Sequence, residues 1–552
     1  MSHYRSAGAR ALVVVATAAA VMLGAAQWEG TIQLGGRTGL GTSLTPGVNT
    51  AGGSAPVTPV DGAALVCPGP ERRGLADSAV REGPQAVGIA AVSAPPEALP
   101  GDFPSTAGEK PADVPRGTLE MRVSGGDALA TASRRGALLH GQIDTARAGV
   151  VSASGSLAPA LSAAQIYLSD QDEQRGLALT SCGEPAEDSW LIAGGAQAGH
   201  AERLVLINPG RGPITAGVTV WGTAAEPGAG QRRVEVALEP GARQILLLDA
   251  LAPGEAAPVV HVVANGGPVS AFLGDRLLEG TTDRGTELSS PVAQPATEQV
   301  IVGFAMPEPA ADSATVRVAV PGPDQAVIEI RALTAAGSAV VAQDVTLVAA
   351  QRTADIDVSD LPADTYALQI SSDEEFVAAA QVRSARDEQG RQDVAWSPGT
   401  GPLGRLAGSP LPQPGQDLRV DYAVDLFAPL GGTIRLITMD ADGRTEQVQL
   451  DLSPGRVLAH DLESAAAVWV SPGAAQTYAA VRGELRIRAR PARDANADDT
   501  TRNTTGDGDT TGNTAGDGDG AADRDGMSLI SVLPLRELSI YRSVTTVTPA
   551  LP

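Results

Sequence analysis

The residues that could do chemistry are few and widely spread. Five histidines, His3, His140, His200, His261 and His460, include no pair at the i, i+2 or i+4 spacing that sets two ligands on one face of an element. A serine, histidine and acid constellation would have to be assembled in space without a local signature. His261, flanked by Val260 and Val262, reads as a half-exposed strand position. Cys67 and Cys182 lie 115 residues apart, too far for a CxxC redox pair or a zinc clamp. In an exported chain they are a candidate disulfide, with two buried free thiols as the alternative. Closing so long a loop would contribute about 4 kcal/mol in the chain-entropy account.

Gly399, Gly401 and Gly404 match GxGxxG, yet Pro402 interrupts the motif and no helical pattern follows. A dinucleotide site needs strand, turn and helix in that order, so the segment reads as a loop. Asp507, Asp509, Asp517 and Asp519 offer hard oxygen ligands, but Thr511 and Gly518 fall at positions five and twelve of a calcium loop. A solvated spacer is the preferred reading. Asp355 with Asp357, and the run Asp373, Glu374, Glu375, could supply the two carboxylates of glycoside hydrolysis. Polar strand faces and turns look the same, and that reading is adopted. No catalytic, cofactor-binding or metal-binding residue is assigned, no cofactor is expected, and the chain is read as noncatalytic.

Charge and composition narrow the partners. Over 552 residues, 64 acidic against 40 basic side chains give a formal net charge of −24, which repels polyphosphate backbones. Lys110 is the single lysine, and no basic patch occurs, so nucleic acid is not expected as a partner. Arg5 and Arg10 precede an uncharged run from Ala11 to Ala26, followed by Trp28. Sixteen helical residues rise about 24 Å, short for a membrane span and long for a signal-peptide core. Residues 1–29 are therefore expected to be a hydrophobic helix acting as a signal-anchor, with cleavage near Gly24–Ala26 as the alternative. Either exports the remainder. The positive-inside rule puts the arginines in the cytoplasm and the rest of a single-pass chain outside.

Residues 30–60, rich in Gly, Thr, Pro and Ser, read as a flexible linker. An N-terminal β module is expected over 61–183, with strands near 63–67, 86–92 and 118–123 and a last strand at GLALTSC, 176–182. An internal repeat then occurs three times, over 184–297, 298–390 and 391–552. LVLINPG at 204–210 aligns with VRVAVPG at 316–322 and, more weakly, LRVDYAV at 418–424. A regular row follows in each copy: Val234, Val236, Leu238; Val345, Leu347, Ala349; Val448, Leu450, Leu452. Each copy closes with two strands separated by turn residues, read as hairpin-like, at 259–273, 366–382 and 467–481. Asp440–Gly443 is the best tight-turn signal.

Short alternating strands with turns every 8 to 12 residues predict an all-β chain of tandem immunoglobulin-like β-sandwiches, with a propeller as runner-up. The Asp-rich stretch 491–526 lacks large apolar residues and is expected to be a disordered insert in the third repeat. Residues 528–541 read as a strand returning to complete that repeat.

LVCPGPE (65–71), SCGEPAEDSWLIAGG (181–195), RLVLINPG (203–210), DVAWSPGTGPL (393–403) and LISVLPL (529–535) together resemble an uncharacterised family of bacterial envelope proteins, membrane-anchored or secreted, with repeated β-domains. The resemblance implies pairing of Cys67 with Cys182 and placement outside the cytoplasm, and it carries no site residue. Pro321-Gly322 after valine rather than asparagine, and the acidic insert, depart from its pattern. The function expected is a membrane-tethered scaffold or binding protein with an envelope protein or glycan as partner. An accessory subunit of a membrane enzyme of envelope glycan synthesis and a secreted hydrolase are the alternatives. Ligand identity and oligomeric state stay open.

Overall fold

The computed structural model describes residues 57–71, 86–103, 117–169, 175–224, 231–280, 282–307, 311, 313–337, 339–386, 390–413, 418–473, 481–491 and 529–543. The apolar segment 11–26, nearly all of the linker 30–60, His3 and the Asp-rich insert except its first residue lie outside the described residues. Among the described residues, no helix is long and apolar enough to cross a membrane.

The chain is all-β and builds several sheets. β1 (Val57–Pro59) is followed by β2 (Gly62–Cys67), β3 (Val87–Ser93), β4 (Thr118–Val123), β5 (Ala128–Ala132), β6 (Leu139–Ile143), β7 (Gly149–Ser154), β8 (Leu161–Ser169) and β9 (Gly176–Ser181). Next come β10 (Asp188–Ile192), β11 (Arg203–Ile207), β12 (Ile214–Trp221), β13 (Gln231–Leu238), β14 (Arg243–Leu247), β15 (Val259–Asn265), β16 (Ser270–Glu279) and β17 (Thr282–Ser289). A third group holds β18 (Ala296–Met306), β19 (Ser313–Val320), β20 (Ala326–Thr334), β21 (Ala339–Val348), β22 (Arg352–Asp357), β23 (Asp364–Arg383) and β24 (Val394–Pro398). The last holds β25 (Ala407–Pro410), β26 (Leu418–Phe427), β27 (Gly432–Met439), β28 (Thr445–Leu452), β29 (Val457–Asp461), β30 (Ala467–Pro472), β31 (Arg482–Pro491), β32 (Leu529–Pro534) and β33 (Tyr541–Ser543).

Each group is the same two-sheet sandwich. With its strands lettered a to h in chain order, one sheet runs a-f-c-d and the other e-b-g-h: β2-β7-β4-β5 with β6-β3-β8-β9, β10-β15-β12-β13 with β14-β11-β16-β17, and β25-β30-β27-β28 with β29-β26-β31-β32. In the third group β23 serves as both f and g: its first half pairs β18 and β20, its second β19 and β24. The N-terminal module is thus a fourth copy, which the three-fold repeat had left apart. Strands f and g lie in opposite sheets, so the closing pairs are crossovers and not hairpins. β24 pairs β23, so residues 394–398 complete the third sandwich rather than beginning the region 391–552. The returning strand β32 pairs β31 as expected.

Apolar alternation fills the cores. Val236 and Leu238 join Leu204, Leu206, Val218 and Val262 in the second sandwich. The corresponding row in the third sandwich fails: Val345 and Leu347 are 59% and 62% exposed. Register shifts between Ile328 and Ile330 and between Ile330 and Arg331 change the phase of β21, and a one-residue slip moves a strand's side chains to the opposite face. At Asp440–Gly443 the turn forms between β27 and β28, with Gly443 at φ +82° and the Arg444 amide donating to Asp440 Oδ1.

The sandwiches pack head to tail. Strand a of one rests on the outer face of the e-b-g-h sheet of the next. Val66 meets Val205, Ile207 and Phe272; Trp190 and Ile192 meet Val377, Ala379 and Trp396; Val300 and Val302 meet Phe427. The fourth closes on the first, where Ile437 and Trp469 bury against Val92, Ala98 and Leu99. Heterologous contacts of this kind give a ring when the rotation closes, and four copies close this one. Strand h of every sandwich contacts strand h of its two neighbours: β9 touches β17, β17 touches β24, β24 touches β32, and β32 touches β9. At the closing joint β33 adds antiparallel to β1, and Arg542 pairs with Asp61 at 3.1 Å.

The close approach at the axis depends on two glycines. Gly285, at φ +136°, has no room for a side chain: a Cβ would lie 2.6 Å from Asp393 Oδ1 and 2.7 Å from the Val394 nitrogen. Gly176, at φ +147°, would place its Cβ 2.8 Å from the Thr286 nitrogen. Replacing Gly285 with alanine should therefore destabilise the protein by about 2–4 kcal/mol, from left-handed strain plus overpacking, measured by denaturant unfolding. A variant within 0.5 kcal/mol of wild type would show that the strands are not held this tightly.

Candidate functional site

Polar residues collect where the four h strands meet. Asp393, just before β24, is fully buried and accepts from the Ile530 amide at 2.8 Å. Glu287 on β17 accepts from the Ser531 hydroxyl at 3.0 Å, and the Leu179 amide of β9 donates to the same Ser531 oxygen at 3.0 Å. Three sandwiches are thus joined through one hydroxyl. Burial pushes the Asp393 carboxyl up to about 8, against the opposing pull of the Ile530 and Val394 amides and Arg175. Burial also raises Glu287 well above the usual carboxylate range, as it does Glu484, which Asp425 and Glu287 raise further.

A second buried group lies between the second and third sandwiches. His200 Nδ1 stands 3.1 Å from Asp275 Oδ1, and Trp396 Nε1 donates to Asp275 Oδ2 at 3.1 Å. Burial alone would raise Asp275, yet the hydrogen bonds from His200 and Trp396 and the nearby cationic groups hold it below its ordinary value. Glu202, buried beside it, is raised by burial and by the Asp275 charge. An acid pair with a histidine could share protons, but these side chains are enclosed at 2% exposure for Glu202 and 1% for Asp275, in contact with packed protein.

Arginine joins the ring. Arg317 on β19 reaches into the second sandwich, where Nη1 donates to the Ala193 carbonyl at 3.0 Å and Nη2 to that of Ala256 at 3.2 Å. Its other donors fork onto Asp355 at 2.7 and 2.9 Å, and its plane lies over Trp396, 5.0 Å from the ring centroid. Arg243 donates to Pro68 and Pro70 of the first sandwich, Arg482 to Thr400 next to the third, and Arg435 to Leu99 of the first. A planar fork can satisfy several carbonyls at once, which an ammonium on a flexible stem does poorly.

The residues singled out by sequence are therefore dispersed. Asp355 is committed to Arg317, while Asp357 accepts from the Ser359 amide at 2.9 Å and its hydroxyl at 2.6 Å. Asp373 accepts from the Val327 amide within the long strand β23 instead of sitting in a turn. His261 stacks on Trp190 at 4.0 Å and meets Asp188 at 3.1 Å; His140 and His460 stand apart on β6 and β29. Gly399, Gly401 and Gly404 form a loop between sandwiches. Cys67 and Cys182 are disulfide-bonded, tying strand a to the end of strand h in the first sandwich. Among the described residues no cluster of His, Cys, Asp and Glu could hold a metal.

A roomy opening with convergent polar groups is a cleft of about 630 Å³ at the joint between the fourth sandwich and the first. Its floor is the outward face of β27, β28 and β30, and its wall is the turn Pro100–Asp102 with Arg405. Across the floor Ser471, Arg435 and Gln449 stand side by side on three adjacent strands. Gln447, two residues along β28, shares that face. Arg405 Nη1 pairs with Asp102 at 2.8 Å, and its guanidinium lies over Tyr541. Sequence reasoning missed this cleft, because its two sides lie more than 300 residues apart and carry no shared motif.

A model of a family of unknown function, DUF5719, matches residues 140–463, from β6 of the first sandwich to just past β29 of the fourth. No curated protein matches. Among solved structures, a tetra-tandem repeat from the extending region of a large adhesion protein is 11% identical, covering 76% of this chain and 90% of that one at a TM-score of 0.10. The BSP domain of a biofilm associated protein is 9% identical, with 90% and 99% covered and a TM-score of 0.12. Neither superposition is close enough to carry an argument.

The buried carboxyls generate a pH prediction. Because Asp393 is raised from its ordinary range to about 8, the folded state holds a proton that the unfolded state releases, so stability falls as pH rises from about 4 to about 8. Thermal unfolding between pH 5 and 9 should show this fall, and Asp393→Asn should flatten it by up to one proton. An unchanged slope in the variant would mean that Asp393 is already ionised in the fold.

Proposed function

From the premise that this chain belongs to DUF5719, a family of unknown function, we propose that it is a noncatalytic scaffold or binding protein of the bacterial envelope, tethered by its N-terminal apolar segment. In this reading the four sandwiches are immunoglobulin-like repeats whose rims and joint cleft face an envelope protein or glycan. The observation that carries it is how the polar side chains are used. The buried acids and most of the arginines that cross the joints are enclosed there, whereas Gln447, Gln449 and Ser471 line the open cleft beside Arg435 and Arg405. A ring of this kind holds its surface groups at fixed separations, as a scaffold requires.

Two details support the immunoglobulin-like part of the reading. Strands b and e share one sheet and c and f the other, as in immunoglobulin domains, although a lies beside f and g beside b. Tyr366, at the start of β23, donates its hydroxyl to the Pro362 carbonyl four residues upstream at 2.8 Å, the arrangement of a tyrosine corner. The disulfide accords with an oxidising compartment.

Crosslinking in intact cells with a tagged chain should recover it in the membrane fraction together with one envelope partner. A soluble, processed form would overturn the anchor, and a membrane enzyme lost on exchange for an unrelated anchor would favour the accessory-subunit reading. Thiol labelling of the exported protein, unfolded without reductant, should find no free cysteine; two titratable thiols would contradict the oxidising placement.

A further inference from the structure

The cleft at the closing joint has a definite chemistry. Its volume of about 630 Å³ lies in the range of small-ligand sites. The row Ser471, Arg435, Gln449 crosses three strands about 5 Å apart, and Gln447 stands about 7 Å along β28 from Gln449. These groups form a grid of hydroxyl, guanidinium and carboxamide functions. Arg435 is held by the Leu99 carbonyl at 3.1 Å, so its fork is oriented before any ligand arrives.

The charges of the site leave no cationic excess. Arg405 pairs with Asp102, Asp451 accepts from the Thr433 hydroxyl at 3.0 Å, and Glu537 accepts from the Arg405 amide at 3.2 Å. Three carboxylates thus stand around two guanidiniums, in a chain of net charge −24, and an anionic ligand gains nothing from such a field. An extended peptide that adds to a sheet needs a free strand edge. Across the floor β27 is hydrogen-bonded on both sides, to β28 and β30, so a ligand lying on it meets side chains; the free edge of the sheet is the outer side of β28, at the rim. A ligand read by many neutral donors and acceptors, with no backbone ladder and no net charge, is a polyol.

We propose that this cleft binds a neutral, hydroxyl-rich oligosaccharide, lying across β30, β27 and β28 with its hydroxyls bonded to Arg435, Gln447 and Gln449. The assignment deepens the binding-protein reading and rests on it. Because both sides of the joint line the cleft, a bound saccharide also bridges the first and fourth sandwiches, the pair that close the ring.

The test uses the purified full-length protein on an array of neutral hexasaccharides of glucose, galactose, mannose and arabinose, with oligogalacturonate and an aspartate-rich peptide as further arms. Positive arms are then titrated by calorimetry. At least one neutral hexasaccharide should bind, with an affinity that changes less than about twofold as sodium chloride rises from about 50 to 500 mM. The double variant Gln447→Ala, Gln449→Ala should bind about tenfold more weakly while melting with the wild type, since both side chains are exposed and two hydrogen bonds are lost. Arg233→Ala with Glu235→Ala, on the matching rim strand of the second sandwich, should bind as wild type. Binding confined to the acidic sugar or the peptide, no binding by any neutral sugar, or full affinity in the glutamine variant would each overturn the assignment. Reducing ends released in the same samples would instead sink the noncatalytic reading and leave the ligand class standing, so the two failures are distinguishable.

Discussion

Closure of the ring is the constraint on which the other features depend. Four strands, one from each sandwich, must approach a common axis, and where β9 meets β17 and β17 meets β24 the approach requires that Gly176 and Gly285 present no side chain to the next strand. Once the backbones are this close, whatever stands on them is buried. That is why Asp393, Glu287 and Ser531 carry hydrogen bonds between sandwiches rather than facing water, and why their carboxyls sit above the usual range. Buried polar groups of this kind cost free energy unless satisfied, so they specify one arrangement of the ring more than they strengthen it.

The joints follow a shared logic with different residues. Each combines an apolar patch beneath strand a with an arginine whose fork reaches carbonyls across or beside the joint: Arg243, Arg317, Arg482 and Arg435 in turn. The composition, with a single lysine at Lys110, fits this use of the guanidinium. Three joints have the chain running through them. The fourth has none, and there β33 pairs β1, Ser539 donates to Glu184 at 2.6 Å and Arg435 reaches Leu99. The open cleft lies at this same joint, and Arg435 belongs both to its lining and to the closing contact.

Much of the fold was legible in the chain. The alternating row at Val234, the Asp440 turn and the returning strand at 529–534 form as their patterns imply, while in the row at Val448 the first valine is exposed and only Leu450 and Leu452 pack inward. The fourth copy was missed because its strand d, Ala128–Ala132, is short and made mostly of small residues. A signal was present: RGLALTS at 175–181 repeats in RGTELSS at 284–290, and both glycines serve the axis. The hairpin reading of strands f and g failed for a different reason. A turn between two alternating strands looks alike whether they pair with each other or cross between sheets, since alternation records which face is apolar and not which neighbour is bonded.

By itself the sequence determined the all-β class and many of the inward-facing residues, because a period of two is imposed locally by the pleat. Only the tertiary structure decided what the other face meets. Arg317 occupies a position that alternation assigns to water, between the core residues Val316 and Val318, yet it is buried, since the outer face of each e-b-g-h sheet is covered by the preceding sandwich. The cleft was likewise invisible: Asp102 and Gln449 meet only because the fourth sandwich returns to the first, and that return is set by the rotation each joint imposes, summed over four.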